Sequence, residues 1–249
     1  MPLRPLSYAG KLSDPNAFVG VSNKNYVIYK VISEQAKTCQ VGLGESQGLR
    51  AIDQSYTGAI TIPATVNGYQ VKAVGDYAFY QTHVKTINLP EGLTKIGSYA
   101  FHQSYELTSL VVPEGVTSVG YRAFYGTEIP SIILPEGMTQ IDEWAFYGCS
   151  ELAVAMLPSS LASIDKEAFT NCSKLVFVSI PGNTTIGTGA FRGQAEALHP
   201  PIQSLMMCNP NPATYADQVG KAADATLYVP PGKQGDVSEC RLDWIKEHH

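Results

Sequence analysis

The chain has 249 residues, 44% hydrophobic and 16% charged, which is enough apolar material for one large core or two modest ones and gives no sign of disorder. A formal net charge of −5, with no run of Lys or Arg, removes the electrostatic footprint of a nucleic-acid or anionic-membrane partner. No apolar stretch approaches the roughly 18 residues needed to span a bilayer, so no transmembrane helix is expected.

Residues 1–22, opening "MPLRPLSYAG", carry no period and no apolar h-region, and they read as a leader or linker. Two histories stay open at this point: an intracellular protein, or one whose secretory signal has been removed. "NYVIYKVI", residues 25–32, is strand-like. Beyond it, Gly44-Glu45-Ser46-Gln47-Gly48 matches the G-x-S-x-G pattern of a nucleophile elbow. The following "LRAIDQSYTG" lacks the length and apolar period of the helix that such an elbow requires. His83 and His102 belong to repeat turns and His199 sits in "LHPP", so Ser46 is expected in a loop. A serine hydrolase acting through Ser46 is the remote alternative the motif leaves.

No H-E-x-x-H, P-loop or dinucleotide fingerprint occurs, and no catalytic residue, cofactor or metal site is expected. The acidic pairs Asp142-Glu143 and Asp165/Glu167 are expected to face water and aid solubility. The cysteines, Cys39, Cys149, Cys172, Cys208 and Cys240, are odd in number and form no C-x-x-C, which argues for free thiols. His248 and His249 read as the stump of an affinity tag and are left out of any site.

The organising feature is a repeat. Ala-Phe pairs stand at Ala78-Phe79, Ala100-Phe101, Ala123-Phe124, Ala145-Phe146, Ala168-Phe169 and Ala190-Phe191, spaced 22, 23, 22, 23 and 22 residues apart. A second ladder, "INLP", "LVVP", "IILP", "AMLP" and "VSIP", runs in phase with it and ends at Pro90, Pro113, Pro135, Pro158 and Pro181. The segment before each proline alternates with period two, which predicts a strand with Leu110 and Val112 inward and Ser109 and Val111 outward. Proline has no N–H to donate and ends the ladder. The Ala-Phe stretch, too short for a helix of its own, is expected to form a helical or 3₁₀ turn held by packing. Pro63 lies 15 residues before Ala78 where later repeats take 10, which predicts an inserted turn at Asn67-Gly68. One such unit cannot bury its apolar face alone. Stacked units form a solenoid with parallel short strands about 4.8 Å apart, an internal stack of phenylalanines, and a ladder of small side chains at Thr82, Ser104, Thr127, Cys149 and Cys172.

"LTSLVVPEGVTSVGYRAFYGT" and "ELAVAMLPSSLASIDKEAFTNCSKL" resemble the BspA-like leucine-rich repeat family, whose members are mainly bacterial surface and secreted proteins. The resemblance implies one continuous domain over 23–249. Within it, an amino-terminal cap covers 23–55, repeats cover 56–195, and a terminal repeat with carboxy-terminal cap covers 196–249. In all it gives about six to seven repeats of 22–23 residues. It also implies an extracellular or cell-surface location and, as partners, host matrix or cell-surface proteins.

Register marks two candidate binding surfaces. On the strand face the outward positions include Val111, Ile133, Val154, Met156 and Phe177, an apolar stripe that fits either a partner or cover by a neighbouring loop. On the turns, Tyr80, His102, Tyr125 and Tyr147 follow the phenylalanines, and Tyr77, Tyr99 and Trp144 precede the alanines. Such rows suit protein recognition or stacking on a glycan, and equally the shielding of turn backbone. The function expected is a non-enzymatic recognition or adhesion module. The other class left open is a structural protein that self-associates through its apolar strand face.

Overall fold

The period-two segments ahead of the prolines are strands, and so are shorter pieces just after them. The computed structural model describes residues 14–22, 25–47, 49–175, 177–181, 184–192, 204–207 and 226–228. At the amino-terminal end, β1 (Ala17–Ser22), β2 (Asn25–Ser33) and β3 (Thr38–Val41) form an antiparallel meander. Residues 17–22 therefore belong to the folded unit and not to a leader. Phe18 stacks on the Tyr29 ring at 5.6 Å, and Gly20 lies so close to Tyr29 and Val66 that a Cβ there would come within 2.7 Å of both. Beyond its pairing with β2, the cap strand is thus held by side-chain contacts that carry no periodic signal.

The solenoid strands follow as β4 (Thr57–Thr61), β5 (Thr65–Val66), β6 (Tyr69–Val74), β7 (His83–Asn88), β8 (Lys95–Ile96), β9 (Ser109–Leu110) and β10 (Ser118–Val119). They continue as β11 (Ser131–Ile133), β12 (Gln140–Ile141), β13 (Val154–Met156), β14 (Ser163–Ile164), β15 (Phe177–Ile180), β16 (Thr185–Ile186), β17 (Ser204–Met207) and β18 (Thr226–Tyr228). β5 and β6 make the inserted hairpin, with Asn67 and Gly68 both at positive φ (48° and 83°), the two-residue turn that pairs best with twisted strands. β3 hands the cap over to the solenoid by pairing in parallel with β6.

From there the parallel strands lie in two pairs of sheets. Strands before the prolines run β4-β7-β9 and then β11-β13-β15-β17-β18; those after them run β6-β8-β10 and then β12-β14-β16. Both ladders stop between the same two repeats, so a seam crosses the solenoid between β9/β10 and β11/β12. One cause is legible. Thr108 donates its N–H to Lys85 O at 3.0 Å, and the residue at that register in the next repeat is Pro130, which has no N–H.

The core runs unbroken through the seam. Phe79, Phe101, Phe124, Phe146, Phe169 and Phe191 are buried and stacked with centroids 5.0–5.3 Å apart, each burial contributing about 1.5–3 kcal/mol. Leu110 and Val112 point inward, and Ser109 and Val111 outward, as the alternation requires.

The Ala-Phe segments are not helical. The residue before alanine (Tyr77, Tyr99, Arg122, Trp144, Glu167) and the one two after phenylalanine (Gln81, Gln103, Asn171, or Gly126 and Gly148) have positive φ, which interrupts any helix. Backbone donors alternate instead. Ala78, Tyr80 and Thr82 N–H reach back three residues, to Gly75, Tyr77 and Phe79 O, while Phe79 and Gln81 N–H reach across to Ala100 and His102 O at 2.7 and 2.8 Å. Every second amide therefore binds the next repeat, which holds equivalent side chains one strand spacing apart. The small-residue ladder closes the same turns: Ser104 Oγ donates to Phe79 O (2.5 Å), Thr127 Oγ1 and Cys149 Sγ donate to Phe124 O (3.1 and 3.0 Å), and Cys172 Sγ donates to Phe146 O (3.1 Å). Cys39, Cys149 and Cys172 are buried free thiols; Cys208 and Cys240 lie outside the described residues.

Candidate functional site

The turn geometry turns register into aromatic stacks. Tyr80, His102, Tyr125 and Tyr147 lie face to face at 5.0, 4.6 and 4.9 Å, and Tyr77 stacks on Tyr99 at 4.8 Å. This spacing is the strand spacing of the solenoid, so the backbone ladder sets the stack. Ring faces inside the row are covered by neighbouring rings, which leaves edges and polar tips for a partner. Tyr80 and His102 are buried, whereas Tyr77, Tyr99, Tyr125, Trp144 and Tyr147 are half-buried.

At the seam the row before the alanines changes chemistry. Between Tyr99 and Trp144 that register holds Arg122, whose guanidinium carbon sits 3.8 Å from the Trp144 ring centroid, 5.3 Å from those of Tyr121 and Tyr125, and 5.9 Å from that of Tyr99. Tyr121 meets Tyr99 edge-on at 5.4 Å and Trp144 at a tilt at 5.7 Å. Four rings thus surround one cation, an arrangement worth about 0.5–2 kcal/mol per well-placed cation–π pair. The Arg122 Nε is buried without a hydrogen-bond partner, and no ion pair to the guanidinium occurs among the described residues.

The neighbouring acids are engaged elsewhere. Glu167 accepts a hydrogen bond from Trp144 Nε1 at 2.9 Å, and Lys166 lies 3.8 Å from Glu143 and 3.7 Å from Glu167. Asp142, Glu143, Asp165 and Glu167 are half-buried and do not simply face water. Burial, with Asp165 beside it, raises the Asp142 carboxyl above its ordinary range. His102 is 6% exposed with an unpartnered Nδ1; burial first and the Arg122 charge second pull its imidazole down to about 4, so it is neutral near pH 7. Burial raises the Tyr121 and Tyr125 phenols, which stay protonated donors. Asn171 Nδ2 donates to the Tyr147 hydroxyl at 3.0 Å and closes the far end of the row.

Tyr80, Tyr99, Tyr125, Trp144 and Tyr147 are therefore gathered on one face, as their register predicts. Arg122 and Tyr121 are the members that a search for aromatic rows passes over. Aligning the repeats would reveal them, since Arg122 stands where its neighbours carry Tyr99 and Trp144.

The strand face is less continuous than the sequence suggests. Val111 is 78% and Ile133 47% exposed, and Val154 is half-buried. Met156 and Phe177 are only 1% and 7% exposed, so they do not extend the outward stripe. β15 is buried on both faces, and Ser179 Oγ accepts the Leu157 N–H at 3.1 Å. Alternation assigns a side chain to a face but does not say whether that face meets water.

Ser46 is exposed in a tight turn in which its own carbonyl accepts from Leu49 N–H at 3.2 Å, and no helix follows it among the described residues. The nucleophile elbow is thus without its second half. His199 lies outside the described residues. His83 is exposed at the start of β7 and not in a turn as expected, and it bonds Glu106 through Nδ1 at 2.9 Å. Among the described residues no three His, Cys, Asp or Glu side chains gather to hold a metal ion, and no helix is long and apolar enough to cross a membrane.

Three solved structures resemble this chain. The pneumococcal vaccine antigen PcpA is 26% identical, with a TM-score of 0.54 over 70% of this chain and 48% of its own. A leucine-rich cell surface protein from Faecalibacterium prausnitzii is 22% identical, with a TM-score of 0.53 over 80% of this chain and 56% of its own. A leucine-rich repeat protein of T. pallidum is 25% identical, with a TM-score of 0.45 over 72% of this chain and 68% of its own. The chain thus spans about half the length of the first two. No curated protein matches it. The model of the BspA-type leucine-rich repeat region matches six times, over residues 72–197, which is half of the sequence and the whole of the phenylalanine stack. The chain belongs to the BspA-type leucine-rich repeat family.

Proposed function

We propose that this protein is a non-enzymatic recognition module of the bacterial exterior that binds a protein partner through the aromatic turns of its solenoid. The observation that carries the reading is the convergence of Tyr99, Tyr121, Tyr125 and Trp144 on Arg122. Trp, Tyr and Arg are the residue types that dominate binding energy at protein interfaces, because they bring large area at low entropic cost and a polar tip. The cell-surface relative from F. prausnitzii supports the location. Covered ring faces argue against sugar stacking, which needs a free face, and so favour a protein over a glycan.

The test is capture of immobilised extracellular-matrix and cell-surface proteins by the parent and by two variants, Tyr125→Ala/Tyr147→Ala and Val111→Asp/Ile133→Asp. The reading expects the tyrosine pair to lose capture by about tenfold or more while the strand-face pair binds as the parent does. The opposite pattern moves the site to the strand face.

A second reading rests on Val111 and Ile133, large apolar side chains exposed in adjacent repeats. On this reading the protein self-associates there, and Val111→Asp/Ile133→Asp converts a dimer to a monomer in sedimentation. A parent that is monomeric at high concentration removes it.

A further inference from the structure

We infer that Arg122 and its ring of aromatic side chains form a carboxylate-binding site, so that the partner presents an Asp or Glu side chain at the seam of the solenoid. The inference rests on the turn face being the binding face and adds the chemistry of what it binds. Guanidinium groups in folded proteins are ordinarily matched by carboxylates or carbonyl oxygens, and a buried N–H without an acceptor is costly. Here the Nε is buried and unmatched, while every described contact of the guanidinium is to a ring. Ring faces hold the planar group in place and leave its hydrogen-bonding edge unused.

The surroundings explain why this cation is left without a partner on a chain of net charge −5. Glu143 and Glu167, the acids on the adjoining turn positions, face Lys166, and Glu167 also accepts the Trp144 indole N–H. Arg122 itself spends its backbone N–H on Glu143 O, which fixes the turn and not the side chain. Arg50, at the other end of the row, shows the contrasting case: its guanidinium lies 5.6 Å from the Tyr80 ring but its Nε donates to Tyr80 O. Two arginines stand over rings of the same face, and in Arg122 no nitrogen of the guanidinium has an acceptor among the described residues. A planar fork held over an indole, with Tyr121 and Tyr125 phenols alongside as protonated donors, fits a two-oxygen acceptor better than a single carbonyl.

The test uses the whole protein and two probes, an acetylated hexaglutamate peptide and its hexaglutamine counterpart. The readouts are the Arg122 Nε–Hε resonance and tryptophan fluorescence. Hexaglutamate is expected to move the Arg122 resonance and to weaken by about tenfold to a hundredfold in Arg122→Gln, the scale of one charge-assisted contact. Arg122→Lys should recover only part of this, because an ammonium lacks the fork. An unmoved resonance, or equal response to hexaglutamine, overturns the proposal. So does a response to hyaluronate fragments alone, which would assign the carboxylate to a glycan. Circular dichroism of Arg122→Gln checks the fold; if that variant is unfolded, the resonance shift in the parent decides by itself. If Tyr125→Ala/Tyr147→Ala loses a captured protein that Arg122→Gln still binds, the carboxylate site falls and the binding face stands.

Discussion

Phe124→Ala strikes the ring stack where strand pairing is missing. Phe124 is fully buried between Phe101 at 5.1 Å and Phe146 at 5.2 Å, and Phe146 lies across the seam. Truncating a buried phenylalanine costs about 3–5 kcal/mol, and each stacked pair adds about 0.5–1.5 kcal/mol beyond area. Phe191 is nearly as buried but has one described ring neighbour, Phe169 at 5.2 Å, so Phe191→Ala should cost about 1 kcal/mol less. The central variant should also lose cooperativity. Between the repeats that flank the seam the turn ladder supplies Phe124 N–H to Ala145 O and Gly126 N–H to Tyr147 O, both 2.8 Å, and neither strand ladder crosses. Stability in a solenoid is a sum of repeat and interface terms, so weakening this interface lets the halves unfold separately. Urea unfolding followed by far-UV circular dichroism should show an earlier, shallower transition for Phe124→Ala and a shifted but equally steep one for Phe191→Ala. Equal losses of less than about 1 kcal/mol in both variants would refute the stack as the core.

His102 predicts an acid-sensitive stability. Its imidazole titrates near 4 in the folded chain against 6.5 ordinarily, so between those values the unfolded chain takes up a proton that the folded chain refuses; stability is whole above pH 6.5 and falls by up to about 3 kcal/mol as pH drops to 4. His102→Phe should flatten that slope in thermal melts across the range, and an unchanged slope would sink the assignment. Cys149 and Cys172 should stay reduced, because each thiol donates to a phenylalanine carbonyl at the place where Thr127 does the same, and burial pushes the Cys172 thiol well above its usual range. An intact mass short of two hydrogens, mapped to this pair without reductant, would contradict it; Cys149→Thr should cost less than about 1 kcal/mol.

Much of the framework was legible because it is periodic. The Ala-Phe and proline ladders recur at 22 or 23 residues, and a recurring residue in a stack must meet its equivalent in the next repeat. The insertion at Asn67-Gly68 was legible for the opposite reason, as a break in that count. β1 was not, since Phe18 and Gly20 act through contacts with Tyr29, Tyr69 and Val66 that leave no period. The turns were misread as helical because local length and propensity cannot reveal that alternate amides bond to the neighbouring repeat. Met156 and Phe177 were misplaced as solvent-facing because alternation fixes direction and not what lies in that direction.

The seam and the candidate site share a cause, which is departure from the repeat. Where a solenoid repeats faithfully, each position meets a copy of itself: Phe on Phe, Tyr on Tyr, small residue on small residue. Such contacts are satisfied within the chain and leave little for a partner. Arg122 breaks the aromatic row at the register of Tyr99, and just after that turn Pro130 breaks the strand ladder at the register of Thr108. The proline removes a backbone bond, and the arginine places a cation among rings with no carboxylate to match it. The two departures face each other across the gap, Arg122 in the repeat of β9 and β10 and Pro130 at the head of β11. Like residues in register therefore hold this fold together, and the residue that breaks the register is the one left with unspent chemistry.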